Sequence, residues 1–365
     1  MLRYISIERG CVPLRRFGKV LLLIIVFFII GIYTNIGLEE KWNPLIDGNK
    51  EVNPNDTINE KSSSLVKDEV IAKEGLAITI GRNMKEIKKE FGEPDRIDMS
   101  AYGYDWWIYN KDYNDYFQLA MENGKVVSAY GIGDKVNVAP FEIGQSIDAI
   151  YSSLYVEPTV DIEAGDSTYR FELSEEDMNM RPLIELGDIH VQLYLDKFTG
   201  TVSSVRFLNN STLLKQQPYE LTYHGTLVPV KNLSEEDWTK VREGNEQQIF
   251  DITNIMRSRF DLKPLGWDDS TAEVAYLNSL EMKGTQEETQ VSETKGDLDD
   301  RLKAGKVQFS VAGENIAANY VDAAAVMEGW LNSEGHRETI LSEEFTDLGV
   351  GVYKKFYTQN FIKQK

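Results

Sequence analysis

The spacing of apolar positions changes along the chain, and each change marks a different kind of segment. Residues 20–30 read VLLLIIVFFII, and GIYTNIGL carries the uncharged stretch on to Leu38. A helix needs about 20 residues to cross a bilayer core, so residues 20–38 are expected to form a transmembrane helix. Residues 39–74 lose all period and hold Pro44, Pro54 and a serine run at 62–64, the pattern of a solvated linker. Flexible chain of that length spans roughly 30–35 Å.

From residue 75 to 215 one pattern occurs twice. Ile80, Met84 and Ile87 sit at i, i+4 and i+7, ahead of Gly92-Glu93-Pro94. Ile143, Ile147 and Ile150 repeat that spacing 63 residues later, ahead of Glu157-Pro158. Each set predicts the buried stripe of a short helix stopped by proline. Alternating segments follow: Phe117-Gln118-Leu119-Ala120-Met121 with Gly124, then Val191-Gln192-Leu193-Tyr194-Leu195 with Gly200. Both predict β-hairpins, so residues 75–215 are expected to be a duplicated helix-plus-β-hairpin domain of the α+β class. The aromatic group Tyr102, Tyr104, Trp106, Trp107, Tyr109, Tyr113, Tyr116 and Phe117 is expected to pack a sheet face rather than serve as a recognition surface. His190, entering a strand, is expected to face solvent.

Residues 216–244 read as a connector, although Ser234 with acids at 235–237 already resembles a helix start. Ile249, Ile252 and Met256 then give a helical face, and Ala272–Met282 a second helix. The block from Glu281 to Asp300 reads as a solvated loop; Asp297-Leu298-Asp299-Asp300 lacks the spacing of a calcium loop.

Charge sets the topology and excludes some functions. Arg3, Arg9, Arg15, Arg16 and Lys19 precede the apolar run against Glu8 alone, which places residues 1–19 in the cytoplasm and the bulk outside. A cleaved signal peptide fits the same flank and run, but Tyr33-Thr34-Asn35-Ile36-Gly37 offers no small-x-small cleavage pattern. The formal charge of −20 repels phosphate backbones, so no nucleic-acid partner is expected. Cys11 is the one cysteine, and it precedes the apolar run, which excludes intrachain disulfides.

An ordered series of motifs fills the C-terminal third. Asn254-x-x-Arg257, Pro264-Leu265-x-Trp267-Asp268 and Asn278-Ser279 come first. Asp300-Arg301-Leu302, Gly313-Glu314-Asn315-Ile316-Ala317, Gly335-His336-Arg337 and Tyr357-Thr358-Gln359-Asn360-Phe361 follow. Together they resemble the CAP superfamily (cysteine-rich secretory, antigen 5 and pathogenesis-related proteins) in its bacterial SCP-like form. The duplicated region resembles the CAP-associated N-terminal domain of some Firmicutes. The resemblance implies an α-β-α sandwich over residues 245–365. It puts 349–353 and 357–362 in the central sheet, and makes 321–331 an outer helix with Ala323, Val326, Met327 and Trp330 turned inward.

The same resemblance implies a cleft where two histidines and two glutamates hold a divalent metal. Glu314 and His336 match two of these positions. The segment expected to supply the other histidine reads Val291-Ser292-Glu293-Thr294, and His336 is the only histidine after His224. Glu293 as a substitute would favour a harder cation, and Glu334 stands next to the second glutamate's place. One imidazole with carboxylates makes a poor zinc site, so no cofactor is expected. The candidate cleft residues are Glu314, His336, Asn315, Glu293 and Glu334. Three readings stay open for Glu314 and His336: a structural pair in which Glu314 ties a loop and His336 caps a turn, a ligand cleft, or a base and its orienter in hydrolysis. Gly313 and Gly335 read as turn residues. The expected function is a membrane-anchored, non-enzymatic binding module of the bacterial envelope with an unidentified envelope ligand or protein partner; the competing function is a peptidase-like envelope hydrolase.

Overall fold

A computed structural model describes residues 72–287 and 297–365. The expected span 20–38, the linker up to residue 71 and Glu293 lie outside the described residues. Among the described residues no helix is long and apolar enough to cross a membrane.

The N-terminal module is one seven-stranded antiparallel sheet with a three-stranded sheet beside it. The helix α1 (Met84–Phe91) starts at a capping box built by Asn83 and Glu86 and stops at Gly92, whose φ of 85° suits glycine. The strands β1 (Arg96–Met99), β2 (Asp105–Tyr109), β3 (Phe117–Glu122) and β4 (Lys125–Gly131) form a meander. After α2 (Ile147–Ser153) come β5 (Thr159–Ala164), β6 (Ser167–Glu172), α3 (Glu175–Met180), β7 (Leu183–Leu186), β8 (Ile189–Asp196) and β9 (Thr201–Asn209). The large sheet runs β1-β2-β3-β4-β9-β8-β7, so the two hairpins β3–β4 and β8–β9 meet along β4 and β9. The helix α4 (Asn210–Gln216) leads into β10 (Glu220–His224), which pairs with β6. The segment 216–244 is therefore more than a connector: its first part completes the small sheet.

The helix α5 (Glu235–Arg259) begins at the Ser234 cap, ten residues before the expected boundary at 245. It continues into β11 (Gly266–Trp267), α6 (Asp269–Glu287), α7 (Leu298–Ala304), β12 (Phe309–Ala318), α8 (Ala323–Leu331), α9 (Glu334–Ile340), β13 (Asp347–Tyr353) and β14 (Phe356–Gln364). The expected loop from 281 to 300 is helix at both ends, and Asp297 caps α7 by accepting from the Asp300 amide at 3.1 Å.

The second sheet runs β11-β13-β14-β12. Strand alternation divides its side chains between two helical layers. Leu348, Val350 and Val352 join Ile249, Ile252, Met256, Val326 and Met327 in one core, on the side of α5 and α8. Gly349 and Gly351 face α6, where a Cβ would lie 2.2 Å from the Ala272 amide and 1.9 Å from that of Tyr276. Only glycine lets α6 lie this close to β13. Ala323, Val326, Met327 and Trp330 are all buried.

The two regions share a core. Tyr102, Tyr104, Trp106, Tyr116, Tyr130 and Tyr194 from the large sheet join the residues of α5 and α8. Gly244 within α5 comes so close to β1 that a Cβ there would meet that of Asp98 at 2.8 Å. His190 is buried, not solvent-facing. Burial pushes its imidazole down to about 4, opposed weakly by Asn210.

Candidate functional site

The motif residues at 314 and 315 separate at once, because they are consecutive on a strand. Asn315 points to the α5–α8 side, fully buried, where its Nδ2 donates to the His336 carbonyl at 3.1 Å and to Gln359 Oε1 at 3.3 Å. Gln359 in turn donates to Thr253 of α5 at 2.8 Å. Glu314 points to the opposite side, and its two carboxylate oxygens take the Nη atoms of Arg301 at 2.8 and 2.9 Å. This is the bidentate fork that guanidinium geometry favours. Glu314 thus ties β12 to α7, not a loop as expected.

Gly313 is a strand residue, not a turn: a Cβ would lie 2.7 Å from the Phe345 ring and 3.1 Å from Thr339. Gly335 belongs to the first turn of α9 with open space around it. His336 lies in α9 itself, half-buried, and burial lowers its pKa. Glu334 is exposed two residues earlier, at the start of α9. No hydrogen bond or ion pair joins Glu314 to His336 among the described residues. Asn278 and Ser279 are spent on structure, donating to Thr358 at 3.2 Å and to the Gly351 carbonyl at 2.8 Å.

Glu293 lies outside the described residues, and the described members of this set do not converge on a common point. Among the described residues no three of His, Cys, Asp and Glu stand close enough to share a cation. The carboxylate that such a site would need holds a permanent positive charge instead.

The structure opens a cleft elsewhere, between the two regions. A cleft of about 740 Å³ has the end of β12 (316–318), Asn319, Tyr320, α8 residues Glu328 and Trp330, and Glu334 and His336 on one side. The N-terminal module supplies the other wall with Asp177, Arg181, Tyr194 and Lys197. His336 and Glu334 therefore belong to this cleft, whereas Glu314 and Asn315 do not line it. Tyr320 lies flat on α8 because position 329 is glycine; a Cβ there would meet its hydroxyl at 2.2 Å.

A buried polar layer holds the two walls together. Arg206 of β9 donates to Asp322 at 2.8 Å, and its guanidinium lies 5.7–5.9 Å from the rings of Trp106, Tyr130 and Tyr194. Arg337 of α9 pairs with Asp196 at 2.9 Å, and Arg96 of β1 with Asp251 at 2.9 Å. Asn332 caps the end of β8, donating to the Leu195 carbonyl at 2.8 Å. Glu328 accepts from Ser203 at 3.1 Å and from Ser204, and burial raises its carboxyl to about 7. The sequence did carry a signal for these residues: Arg206 stands between Val205 and Phe207-Leu208, and Glu328 interrupts the apolar run of α8.

An α-β-α sandwich with the ordered Gly-Glu-Asn and Gly-His-Arg motifs, docked on a seven-stranded module, defines a CAP domain with its associated N-terminal domain. Family models agree: the CAP-associated N-terminal model matches residues 80–219 and the cysteine-rich secretory protein family model residues 250–363. The Bacillus subtilis (strain 168) membrane protein YlbC is 48% identical over 290 residues, covering 80% of this chain and 84% of its own length. An extracellular SCP-domain protein from Bacillus anthracis is 42% identical with a TM-score of 0.76, over 88% of this chain and 100% of that one. A cysteine-rich secretory protein from Staphylococcus aureus is 29% identical with a TM-score of 0.72, over 81% of this chain and 97% of that one. The chain belongs to the cysteine-rich secretory protein (CAP) family, in the bacterial form that carries the associated N-terminal domain.

Proposed function

We propose that this chain is a membrane-anchored, extracellular module of the bacterial envelope that binds its ligand in the cleft between its two domains and does not turn it over. The observation that carries this reading is the division of the motif residues. His336 lines a cleft of about 740 Å³, while Glu314, the base that hydrolysis would need, is held on the other face by Arg301. Both carboxylate oxygens of Glu314 are committed to that bidentate pair, away from the cleft that His336 lines. The anchor rests on the apolar run 20–38 and its basic flank, and YlbC being named a membrane protein is consistent with it.

Two measurements test the reading. The purified full chain should show no turnover of peptide or cell-wall substrates, with or without added divalent metal. Metal-dependent turnover lost in both Glu314→Ala and His336→Ala would overturn it. For topology, Cys11 should resist a membrane-impermeant maleimide in intact cells and react after permeabilisation. Labelling in intact cells would refute the cytoplasmic N-terminus.

A further inference from the structure

The strand β12 is an edge of its sheet, and the end of that edge opens into the cleft. Antiparallel pairing sends the backbone groups of alternate residues to opposite sides. The Asn319 amide donates to the Lys355 carbonyl at 2.9 Å, which fixes the odd-numbered residues as those bonded across the hairpin. Even-numbered residues point away: the Ile316 carbonyl accepts from Trp330 Nε1 at 3.1 Å, from the side opposite β14. The N–H groups of Ile316 and Ala318 face the same way and have no partner among the described residues, and Ile316 is 43% exposed. The Ile316 carbonyl is already taken by Trp330, so the free part of the edge is its outward N–H groups, which are a template for the carbonyls of an extended guest.

A second, independent feature lies in the same cleft. Glu328 is 3% exposed, and while its Oε1 takes the two serine hydroxyls, its Oε2 has no partner. A buried carboxyl oxygen left unpaired is destabilised until a donor reaches it. Of the charges around the cleft, Arg181 is spent on Asp177 at 2.6 Å. That leaves Lys197 and Lys355 in balance with Glu176 and Glu334, so the unpaired Glu328 oxygen, on a chain of net charge −20, is what favours a cationic guest.

Resting on the binding-module reading above, we propose that the cleft takes an extended peptide that pairs with the free edge of β12 and directs an ammonium-bearing side chain to Glu328. The backbone of the guest supplies carbonyls to the Ile316 and Ala318 amides. Tyr320, Tyr194 and Trp330 are cleft-lining aromatic residues for the aliphatic stem of that side chain. The order of contacts selects for chain extension and for positive charge, not for a particular sequence.

The test uses the full chain in detergent and blocked, fluorescent five-residue peptides of alternating Thr and Val with lysine at one central position. Matched peptides carry norleucine there. The lysine peptides should bind wild type at least about tenfold tighter than their norleucine partners, about 1.4 kcal/mol. Glu328→Gln keeps an oxygen for the serines and should erase that preference. Ile316→Pro removes the outward N–H, a change an edge strand tolerates, with Ile316→Ala as the control for the lost side chain; it should weaken both peptides by a similar factor relative to that control with the melting temperature unchanged from it. Equal binding of lysine and norleucine peptides, or Ile316→Pro binding like Ile316→Ala, would overturn the proposal. Isolated cell-wall sacculi in a parallel sedimentation assay separate the two readings. Sacculi retained without any peptide binding would refute the peptide guest and leave the binding module standing. Retention of neither refutes both.

Discussion

Arg206 and Phe207 are neighbours on β9 and both are fully buried, yet they lie in opposite surroundings. Phe207 shares its face of the large sheet with Trp107, Leu119, Ala129, Val191, Leu193 and Val205, a dry apolar layer closed by the module's own residues. Arg206 shares the other face with Trp106, Gln118, Tyr130, Gln192, Tyr194 and Ser204, side chains that are buried but polar or amphipathic. The dry face builds the module. The polar face joins it to the CAP domain, because only there do partners such as Asp322 and Glu328 arrive from the other region to satisfy it. A surface that must meet another domain and leave a cleft beside it keeps polar groups that a closed core would exclude.

The largest effects should come from breaking each face separately. Phe207→Ala is expected to cost about 3–5 kcal/mol through lost transfer energy and a cavity. Arg206→Met is expected to cost as much, since it leaves Asp322 buried without its counter-charge. The two losses differ in their remedy. Adding Asp322→Asn to Arg206→Met should recover about half the loss or more, because the neutral amide still accepts the α8 cap bond now made to the Ala325 amide at 3.1 Å. The same substitution added to Phe207→Ala should recover nothing. Denaturant unfolding of these four variants and of Asp322→Asn alone measures the coupling, and strict additivity for the Arg206 pair would show that the polar face holds no charge-coupled contact.

This contrast explains which features the sequence made legible. On α8 the burial of Ala323, Val326, Met327 and Trp330 was implied by the family resemblance, and the structure buries all four. The strand pair β8–β9 was legible as a hairpin from its alternation and Gly200. Its polar positions were not: His190, Gln192 and Tyr194 alternate with Val191, Leu193 and Leu195, the pattern of a sheet with one wet face. The 210–219 segment and the helices α5 and α8 cover that face instead, and Gln192 donates to Tyr219 at 2.7 Å. Half of the cleft was hidden by the same cause. Its N-terminal wall is brought to His336 by contacts such as Arg337 to Asp196, 141 positions apart, which no local period records. Motif matching found Glu314 and His336, but only the alternation of β12 with its neighbours shows that Glu314 serves α7 while His336 serves the cleft.

A pH titration sharpens the comparison with a smaller effect. Glu328 at the domain junction and Glu246 inside the CAP sandwich are both raised by burial to about 7. Below the unfolded value near 4.5 each is protonated in both states and costs nothing. As pH rises through about 7 the folded state must ionise a buried group, so stability falls. His190, lowered to about 4 by burial, acts in the opposite direction: its contribution is present above pH 6.5 and lost as pH falls through 4. The groups nearest Glu328 are Ser203, Ser204 and Arg259, which favour its charged form, and Asp196, which opposes it; Tyr130 lies close enough to feel its charge. Glu328→Gln should therefore gain on wild type between pH 5 and 8 by up to about 3 kcal/mol. A difference curve that stays flat across that range would mean that the carboxyl ionises freely and the junction is wet.

Gly244→Ala probes the seam between α5 and β1 and should change less. Alanine favours a helix over glycine by about 1 kcal/mol, but its Cβ would press on that of Asp98 at 2.8 Å. Overpacking costs about 1–3 kcal/mol, which leaves a net loss near 1 kcal/mol. Asp98 also accepts from Gln248 at 3.0 Å and pairs with Arg96 at 2.7 Å, so the strain falls on the polar contacts that join the two regions. A net gain in stability would show that β1 can move away from α5 and that the seam is softer than the distances imply.

The smallest effect is expected at the residue that the family motif makes most prominent. Glu314→Gln removes one charge from a pair whose two side chains are each a fifth exposed. Solvent screens such a pair, and its neutral replacement can still accept from Arg301, so the loss should stay within about 1 kcal/mol. Peptide affinity in the cleft should not change, because Glu314 does not line it and shares no contact with His336. A hydrolase built on Glu314 predicts the reverse ordering, with the largest functional loss here and almost none at Arg206. Measuring stability and ligand affinity for Glu314→Gln beside Arg206→Met therefore decides between the two accounts by rank alone: if the first abolishes function and the second spares it, the working site lies on the α7 side of the sheet and not at the junction of the domains.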